Sequence, residues 1–141
     1  MISAETRQGG AAMLHAVRTV LSKYATFSGR AARPEYWWWV LFFVLVLFVT
    51  QLIDAALLVP LLGLEAVGES GPPRPLSVLV SLGLILPNIA VGVRRLHDLD
   101  RTGWWLLIGL IPILGTLVLI YFFVQRGSEG TNRFGPPPVA A

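Results

Sequence analysis

One short segment of the chain holds the side chains best suited to acid–base or anion-binding chemistry. His97 beside Asp98 suggests a general base with its carboxylate, but neighbours in a helix point in different directions, so adjacency alone does not make a catalytic pair. A second interpretation uses the arginines, because their planar guanidinium groups bind phosphate and carboxylate in a bidentate manner. The ionisable residues of this segment are Arg94, Arg95, His97, Asp98, Asp100 and Arg101.

The spacing of these residues also predicts a structural use for them. If the preceding helix continues into the segment, Asp98 lies three or four residues from Arg94, Arg95 and Arg101 and is neutralised locally. An anionic headgroup or phosphate site remains one interpretation. We favour the other, in which an ion-pair knot joins this segment to the earlier residues Arg30, Arg33 and Glu35.

Catalysis and metal binding have little support in the sequence. The chain has no cysteine, which excludes disulfides and thiolate chemistry. It has two histidines, His15 and His97, whereas a metal site needs three or four ligands. No serine-nucleophile, P-loop or zinc-protease motif occurs. We therefore expect no catalytic residue, no metal and no cofactor.

The composition is that of a membrane protein. Of 141 residues, 55% are hydrophobic and 13% charged, against about 25% charged in ordinary domains. This charged fraction is too small to cover the surface of a soluble domain. The high hydrophobic fraction excludes an intrinsically disordered chain. The net charge of +3 comes from arginines that flank apolar runs, which favours contact with lipid headgroups and not with nucleic acid.

Three apolar runs predict an all-α polytopic fold with three transmembrane helices, at about residues 36–62, 76–93 and 104–124. A span needs about 20 residues. Residues 1–34 then form a cytoplasmic N-terminal segment, 35–124 the membrane domain and 125–141 a flexible tail rich in glycine and proline.

The N-terminal segment carries a helical apolar stripe. Met13, Val17, Val20, Tyr24 and Phe27 recur at three- and four-residue steps, with polar and basic residues between them. This pattern predicts an amphipathic helix in the membrane interface. The alternative is that the helix packs on the protein's own surface.

Charge distribution predicts the orientation. Lysine and arginine number eight in the N-terminal segment and the 94–103 connection together, against three in the first loop and the tail. Cytoplasmic segments are enriched in these residues, so the N-terminus and the connection should face the cytoplasm. The chain is then a multi-pass protein of a bacterial inner membrane. All the tryptophans fall at this same interface as anchors: Trp37, Trp38, Trp39, Trp104 and Trp105.

Three motif blocks carry a resemblance to a known family. Block one reads FSGRAARPEYW (27–37), block two RRLHDLDRTGWW (94–105) and block three GSEGTNRFGP (127–136). Their order and spacing resemble the bacterial inner-membrane family called domain of unknown function 805. Asp100 departs from the pattern, since glycine is common there. The resemblance implies a small polytopic inner-membrane protein of unassigned biochemistry and supplies no catalytic residue.

The blocks raise a question about the last apolar run. With three spans, block three lies across the membrane from the other two. If the blocks form one site, the run must return to the side on which it began, and Pro112 and Gly115 are the natural break. Such irregular backbone is tolerated in a membrane when it is buried in protein or faces water.

We expect a non-enzymatic module whose arginine-rich cytoplasmic collar binds anionic phospholipid headgroups or a protein partner, either a second copy or another membrane protein. The collar residues are Arg30, Arg33, Arg94, Arg95 and Arg101, oriented by Glu35, His97, Asp98 and Asp100, with Asn132 and Arg133 in the tail motif. One alternative is an oligomeric transporter or channel subunit with Asp54 and Asn88 facing inward. Another is a lipid-headgroup enzyme with His97 as base.

Overall fold

The computed structural model describes residues 2–64 and 70–139. Within these ranges the chain is helical, with one isolated bridge between Asn132 and Gly135, so the all-α prediction is confirmed there. The first part of the predicted loop, residues 65–69, and the end of the tail lie outside the described residues. The chain divides into two compact units, one of residues 1–40 and 86–141 and one of residues 41–85.

Two helices in the described chain are long and apolar enough to cross a membrane. The first, Arg33–Leu62, has 30 residues and consists of α2 (Arg33–Ile53), a π-helical turn (Asp54–Leu58) and α3 (Val59–Leu62). The second is α4 (Pro75–Asp98), with 24 residues. They contain the predicted spans 36–62 and 76–93.

Asp54 caps a helix within the second unit. Its buried carboxylate accepts hydrogen bonds from the backbone N–H of Leu76 at 3.0 Å and of Ser77 at 2.8 Å, and from the Ser77 hydroxyl at 2.6 Å. These donors belong to the first turn of α4, where backbone N–H groups have no partner inside the helix. Asp54 is therefore engaged within the protein, and it does not have the free carboxylate that a transport pathway would need.

The N-terminal helix α1 spans Ile2–Ser22. Ala16, Val17 and Val20 are buried, so this part of the predicted stripe packs against protein, as the alternative interpretation required. Tyr24 and Phe27 lie past the last helical residue and are exposed. The stripe was predicted to extend this far, but the chain leaves the helix through turns after Ser22.

The third apolar run does not form the predicted span. Residues 104–124 are divided between a 3-10 helix (Gly103–Leu110) and α5 (Leu114–Val124), which pack on each other. Between them Ile113 has a φ of 64°, and the N–H of Leu114 donates to the Pro112 carbonyl at 2.7 Å, which is a γ-turn. The run therefore reverses at Pro112, and the expectation of a third transmembrane helix at 104–124 is corrected.

Gly115 makes this reversal sterically feasible. A Cβ atom at this position would overlap the carbonyl oxygen of Ile108 in the 3-10 helix. On the inner side of the hairpin, Phe122 and Phe123 of α5 are buried with Leu96 of α4. The close approach at Gly115 brings the two short helices together, and the apolar cluster packs α5 against α4 within the first unit.

We predict that Gly115→Ala destabilises the hairpin, because the added methyl group must push α5 away from the 3-10 helix. Overpacking of this kind costs about 1–3 kcal/mol. Thermal unfolding of the purified protein in detergent measures the loss. The matched control is Gly10→Ala in α1, where no described atom lies within 4 Å of the new Cβ and where alanine favours the helix. If Gly115→Ala unfolds at the wild-type temperature, this packing is wrong.

Candidate functional site

Arg30 of block one is the most fully bonded side chain in the first unit. Nε and Nη2 contact Asp98 Oδ1 at 2.9 and 2.8 Å. Nη2 also donates to the carbonyl of Ser128 at 2.6 Å, and Nη1 donates to those of Gly130 at 2.6 Å and Gly135 at 3.3 Å. A guanidinium has five N–H groups, and each has an acceptor here. Arg30 therefore joins block three to block two and has no N–H left for an outside anion.

Asp98 lies between two guanidinium groups. Its Oδ1 binds Arg30, and its Oδ2 accepts from Arg95 Nη1 at 2.5 Å. Its backbone carbonyl accepts from the N–H and the hydroxyl of Ser128 at 2.7 and 2.9 Å. Gly127 passes so close that a Cβ there would overlap the carboxylate. All three motif blocks therefore meet at Asp98.

Arg95 binds the C-terminal end of α5. Its Nε and Nη2 donate to the Phe123 carbonyl at 3.3 and 3.2 Å, and Nη2 also donates to the Gln125 carbonyl. Trp37 Nε1 donates to Phe123 at 3.2 Å, and Arg33 Nη1 donates to the carbonyl of the last helical residue at 3.2 Å. The last carbonyls of a helix have no partner inside it and carry its partial negative charge. Side chains of blocks one and two supply these partners.

A second ion pair lies beside the first group. Arg94 Nη1 contacts Glu35 Oε1 at 2.7 Å, and the Arg94 side chain is fully buried. Its backbone carbonyl accepts from the N–H of Ala31 at 2.9 Å. Nε and Nη2 of Arg94 have no hydrogen-bond partner among the described residues. The buried cluster thus contains three arginines (Arg30, Arg94, Arg95) and two carboxylates (Glu35, Asp98), a formal charge of 3 − 2 = +1.

His97 takes no part in these ion pairs. Its Nδ1 lies 3.0 Å from the Gly29 carbonyl, and its ring stacks on Phe134 with 3.9 Å between centroids. A carbonyl only accepts, so Nδ1 carries a proton and, in the neutral ring, Nε2 is the acceptor. The carboxylate of Asp98 is bound by arginines, so His97 and Asp98 do not form a catalytic pair.

The tail motif is fixed by Asn132. Its Nδ2 donates to the His97 carbonyl at 2.8 Å and to the Ser128 hydroxyl at 2.7 Å. Its Oδ1 accepts from the N–H of Phe134 at 2.9 Å, which is a local turn typical of asparagine. Asn132 therefore holds block three in the shape that presents its carbonyls to Arg30.

Arg133 and Asp100 form an exposed pair at the edge of the cluster. Nε of Arg133 contacts Oδ1 of Asp100 at 3.1 Å, with side chains 64% and 43% exposed. Asp100 has a φ of 57° just after α4. Glycine adopts this left-handed conformation most readily, so Asp100 occupies a position whose backbone would suit glycine.

The predicted collar divides into buried and exposed members. Arg30, Arg94 and Arg95 are buried in the ion-pair knot that we favoured, so they do not form an exposed headgroup site. Arg33 is exposed. The guanidinium of Arg101 lies over the rings of Phe122 at 4.3 Å and Trp105 at 5.4 Å. Arg101 is half-buried, so Arg33 and Arg101 are the collar members that are not buried.

The predicted tryptophan anchors are also divided. Trp104 is 79% exposed and Trp105 is 41% exposed, while Trp37 and Trp38 are partly buried. Trp39 is buried, and its Nε1 donates to Asn88 Oδ1 at 2.6 Å. Trp39 is therefore a packing residue, not a surface anchor. Asn88 is engaged inside the protein, as Asp54 is.

The described chain combines two apolar helices, a buried arginine–carboxylate cluster and a returning hairpin that is bonded to this cluster. These features define a class of small helical membrane protein. The chain belongs to the family described as protein of unknown function DUF805, whose model matches residues 24–136. This range includes all three motif blocks.

Two relatives from Escherichia coli (strain K12) are named as inner membrane proteins. The chain is 43% identical to YhaH over 119 residues, which is 84% of this chain and 92% of the relative. It is 41% identical to YhaI over 120 residues, or 85% of this chain and 92% of the relative. No solved structure gives a significant match.

We predict that Asp98→Asn strongly destabilises the first unit, because it leaves two buried guanidinium groups without their counter-charge. Breaking a buried ion pair by removing one partner costs about 3–5 kcal/mol. The control is Asp100→Asn, which breaks the exposed pair and should cost at most about 1 kcal/mol. Thermal unfolding in detergent compares the two. Equal, small losses would show that the buried cluster does not stabilise the fold.

Proposed function

We propose that the chain is a non-enzymatic inner-membrane protein that binds anionic phospholipid headgroups through Arg33 and Arg101, the predicted collar arginines that are not buried. The observation that carries this proposal is the division of the collar. Arg30, Arg94 and Arg95 are buried, whereas Arg33 is exposed and Arg101 is half-buried. The proposal therefore assigns lipid binding to these two residues and a structural role to the others.

The Arg33 guanidinium is hydrogen-bonded through one of its nitrogens, and the side chain is exposed. Its Nη1 donates to a carbonyl at the end of α5, which orients the guanidinium while the side chain stays exposed. A pre-oriented fork loses less entropy when it binds a phosphate than a free side chain does.

Arg101 is held by aromatic rings. Its Cζ atom lies over both rings, 5.4 Å from the Trp105 centroid and 4.3 Å from the Phe122 centroid, which are cation–π distances. The N–H edge is then available for a bidentate bond to a phosphate group. An exposed tryptophan next to an arginine is also the pairing expected at a membrane interface.

The relatives and the charge distribution support the location. The two relatives are inner membrane proteins by name, and the chain has two helices able to cross a membrane. With the N-terminus in the cytoplasm and two spans, blocks one, two and three all face the cytoplasm. This leaflet carries the negative surface potential that attracts Lys and Arg.

The transporter and enzyme alternatives have less support. Asp54 caps α4 and Asn88 binds Trp39, so neither side chain is free to line a pathway. The His97 ring bonds the Gly29 carbonyl, and the Asp98 carboxylate bonds Arg30 and Arg95. His97 and Asp98 are therefore not paired as a base with its carboxylate. No specific contact favours a reaction at this site.

We predict that Arg33→Gln and Arg101→Gln each lower the retention of anionic lipid several-fold, because each removes a charge-assisted contact to phosphate. Native mass spectrometry of protein released from nanodiscs of mixed phosphatidylethanolamine and phosphatidylglycerol counts the bound anionic lipids. The control is Arg74→Gln, which removes an exposed cation from the loop between the two apolar helices.

The folding of each variant is checked by thermal unfolding. Retention should also fall in high salt, because dissolved ions screen exposed charges. The screening length is about 8 Å at physiological ionic strength and shortens as salt is added. Unchanged phosphatidylglycerol retention in folded Arg33→Gln and Arg101→Gln proteins, or an equal loss in Arg74→Gln, contradicts the proposal.

A further inference from the structure

A half-open cavity of about 570 Å³ lies in the first unit, apart from the ion-pair cluster, and several of its wall residues are exposed, among them Phe27, Ile89 and Trp104. Its volume falls within the roughly 300–1,000 Å³ typical of sites for small ligands. Ile89 and Val93 of α4 form part of its wall, and Trp104, Leu106 and Leu107 of the 3-10 helix form another part. The wall is therefore mainly aliphatic and aromatic.

All three motif blocks contribute to this cavity. Phe27 comes from block one, His97 and Thr102 from block two, and Phe134 from block three. The ion pairs account for the arginines and carboxylates of the blocks, but they do not account for these side chains. The arrangement that assembles the buried cluster thus also assembles a cavity, and the cavity is open to one side.

The polar groups of the cavity are few and have defined hydrogen-bonding roles. His97 donates from Nδ1 to the Gly29 carbonyl and is covered on one ring face by Phe134. Nε2 is the ring nitrogen left for a ligand, and in the neutral tautomer it accepts. Thr102 precedes the 3-10 helix but does not cap it with its side chain, so its hydroxyl is a second group able to bond a ligand.

The geometry points to a lipid with a single neutral hydroxyl head, dissolved in the membrane, as the occupant of this cavity. An O–H group donates to His97 Nε2 while its oxygen accepts from the Thr102 hydroxyl. The aliphatic and aromatic wall takes the apolar chain of the ligand. An ionised carboxylate has no proton to donate, so it would place its charge against the lone pair of Nε2.

This site differs in its chemistry from the anionic headgroup site proposed above. Arg33 and Arg101 bind phosphate at the surface, whereas the cavity selects an uncharged head and an apolar chain. Neither Arg33 nor Arg101 lines the cavity. Loss of one activity therefore leaves the other measurable.

The test uses a dibrominated eighteen-carbon alcohol as the probe, because bromine quenches tryptophan fluorescence at short range. Trp104 lines the cavity and is the reporter. We expect saturable quenching of the full chain in detergent, and loss of the saturable part in Trp104→Phe. The corresponding dibrominated fatty acid in alkaline buffer, where it is ionised, should bind at least tenfold more weakly.

Two variants with matched controls test the assignment. Ile89→Phe adds volume at a cavity-lining position and should weaken binding of the alcohol about tenfold or more. Ile85→Phe, one turn earlier, is exposed to a similar degree but does not line the cavity, so it should not. Thr102→Val keeps the side-chain shape and removes the hydroxyl, so it should weaken binding several-fold. Thr116→Val in α5 is its control. Thermal unfolding tests whether each variant is folded. If Ile89→Phe does not fold, the binding measured for Thr102→Val tests the assignment instead.

Two results would overturn the inference. Quenching that rises linearly with the probe and is equal in Ile89→Phe and Ile85→Phe would mean that the alcohol only enters the detergent micelle. Equal or tighter binding of the ionised fatty acid would exclude a site for a neutral hydroxyl.

Discussion

The structure of the first unit depends on one buried carboxylate. Asp98 forms ion pairs with both Arg30 and Arg95, and without it both guanidinium groups would be buried with no counter-charge beside them, which is strongly unfavourable. Arg30 then bonds the carbonyls of block three, and Arg95 bonds those at the end of α5. A single side chain at the end of α4 thereby fixes the loop before α2, the end of the hairpin and the tail.

The hairpin and the cluster require each other. With 11 residues, α5 is about 16 Å long, roughly half of the apolar thickness of a bilayer, so it does not replace the predicted third span. Its C-terminal carbonyls need partners at the place where Arg95, Trp37 and Arg33 provide them. Arg30 and Arg95 are occupied by internal acceptors, so our proposal assigns lipid binding to Arg33 and Arg101. Our further inference assigns binding of an apolar ligand to the cavity that His97 lines.

Much of this arrangement was predictable from the sequence. Hydropathy and length identified both long apolar helices, and the three-residue spacing of Arg95 and Asp98, together with Glu35 in block one, indicated the ion-pair knot. The acceptors in block three and α5 were not predictable, because most of them are backbone carbonyls and have no signal in residue type. The third run was misread because hydropathy does not distinguish one long helix from two short ones. Pro112 and Gly115 marked the break, but the left-handed Ile113 between them has no sequence signature.

We infer that residues 104–124 return to the side on which they begin, so that the three motif blocks share one face of the membrane. Single cysteines at Ser28, Thr102, Glu129 and Ser70 test this, since the natural chain has no cysteine and all four positions are exposed. The readout is labelling by an impermeant thiol reagent in intact cells. We expect the cysteines at Ser28, Thr102 and Glu129 to be protected together and the cysteine at Ser70 to react. Labelling of Glu129 together with Ser70, with Ser28 and Thr102 protected, would contradict it and restore the third span.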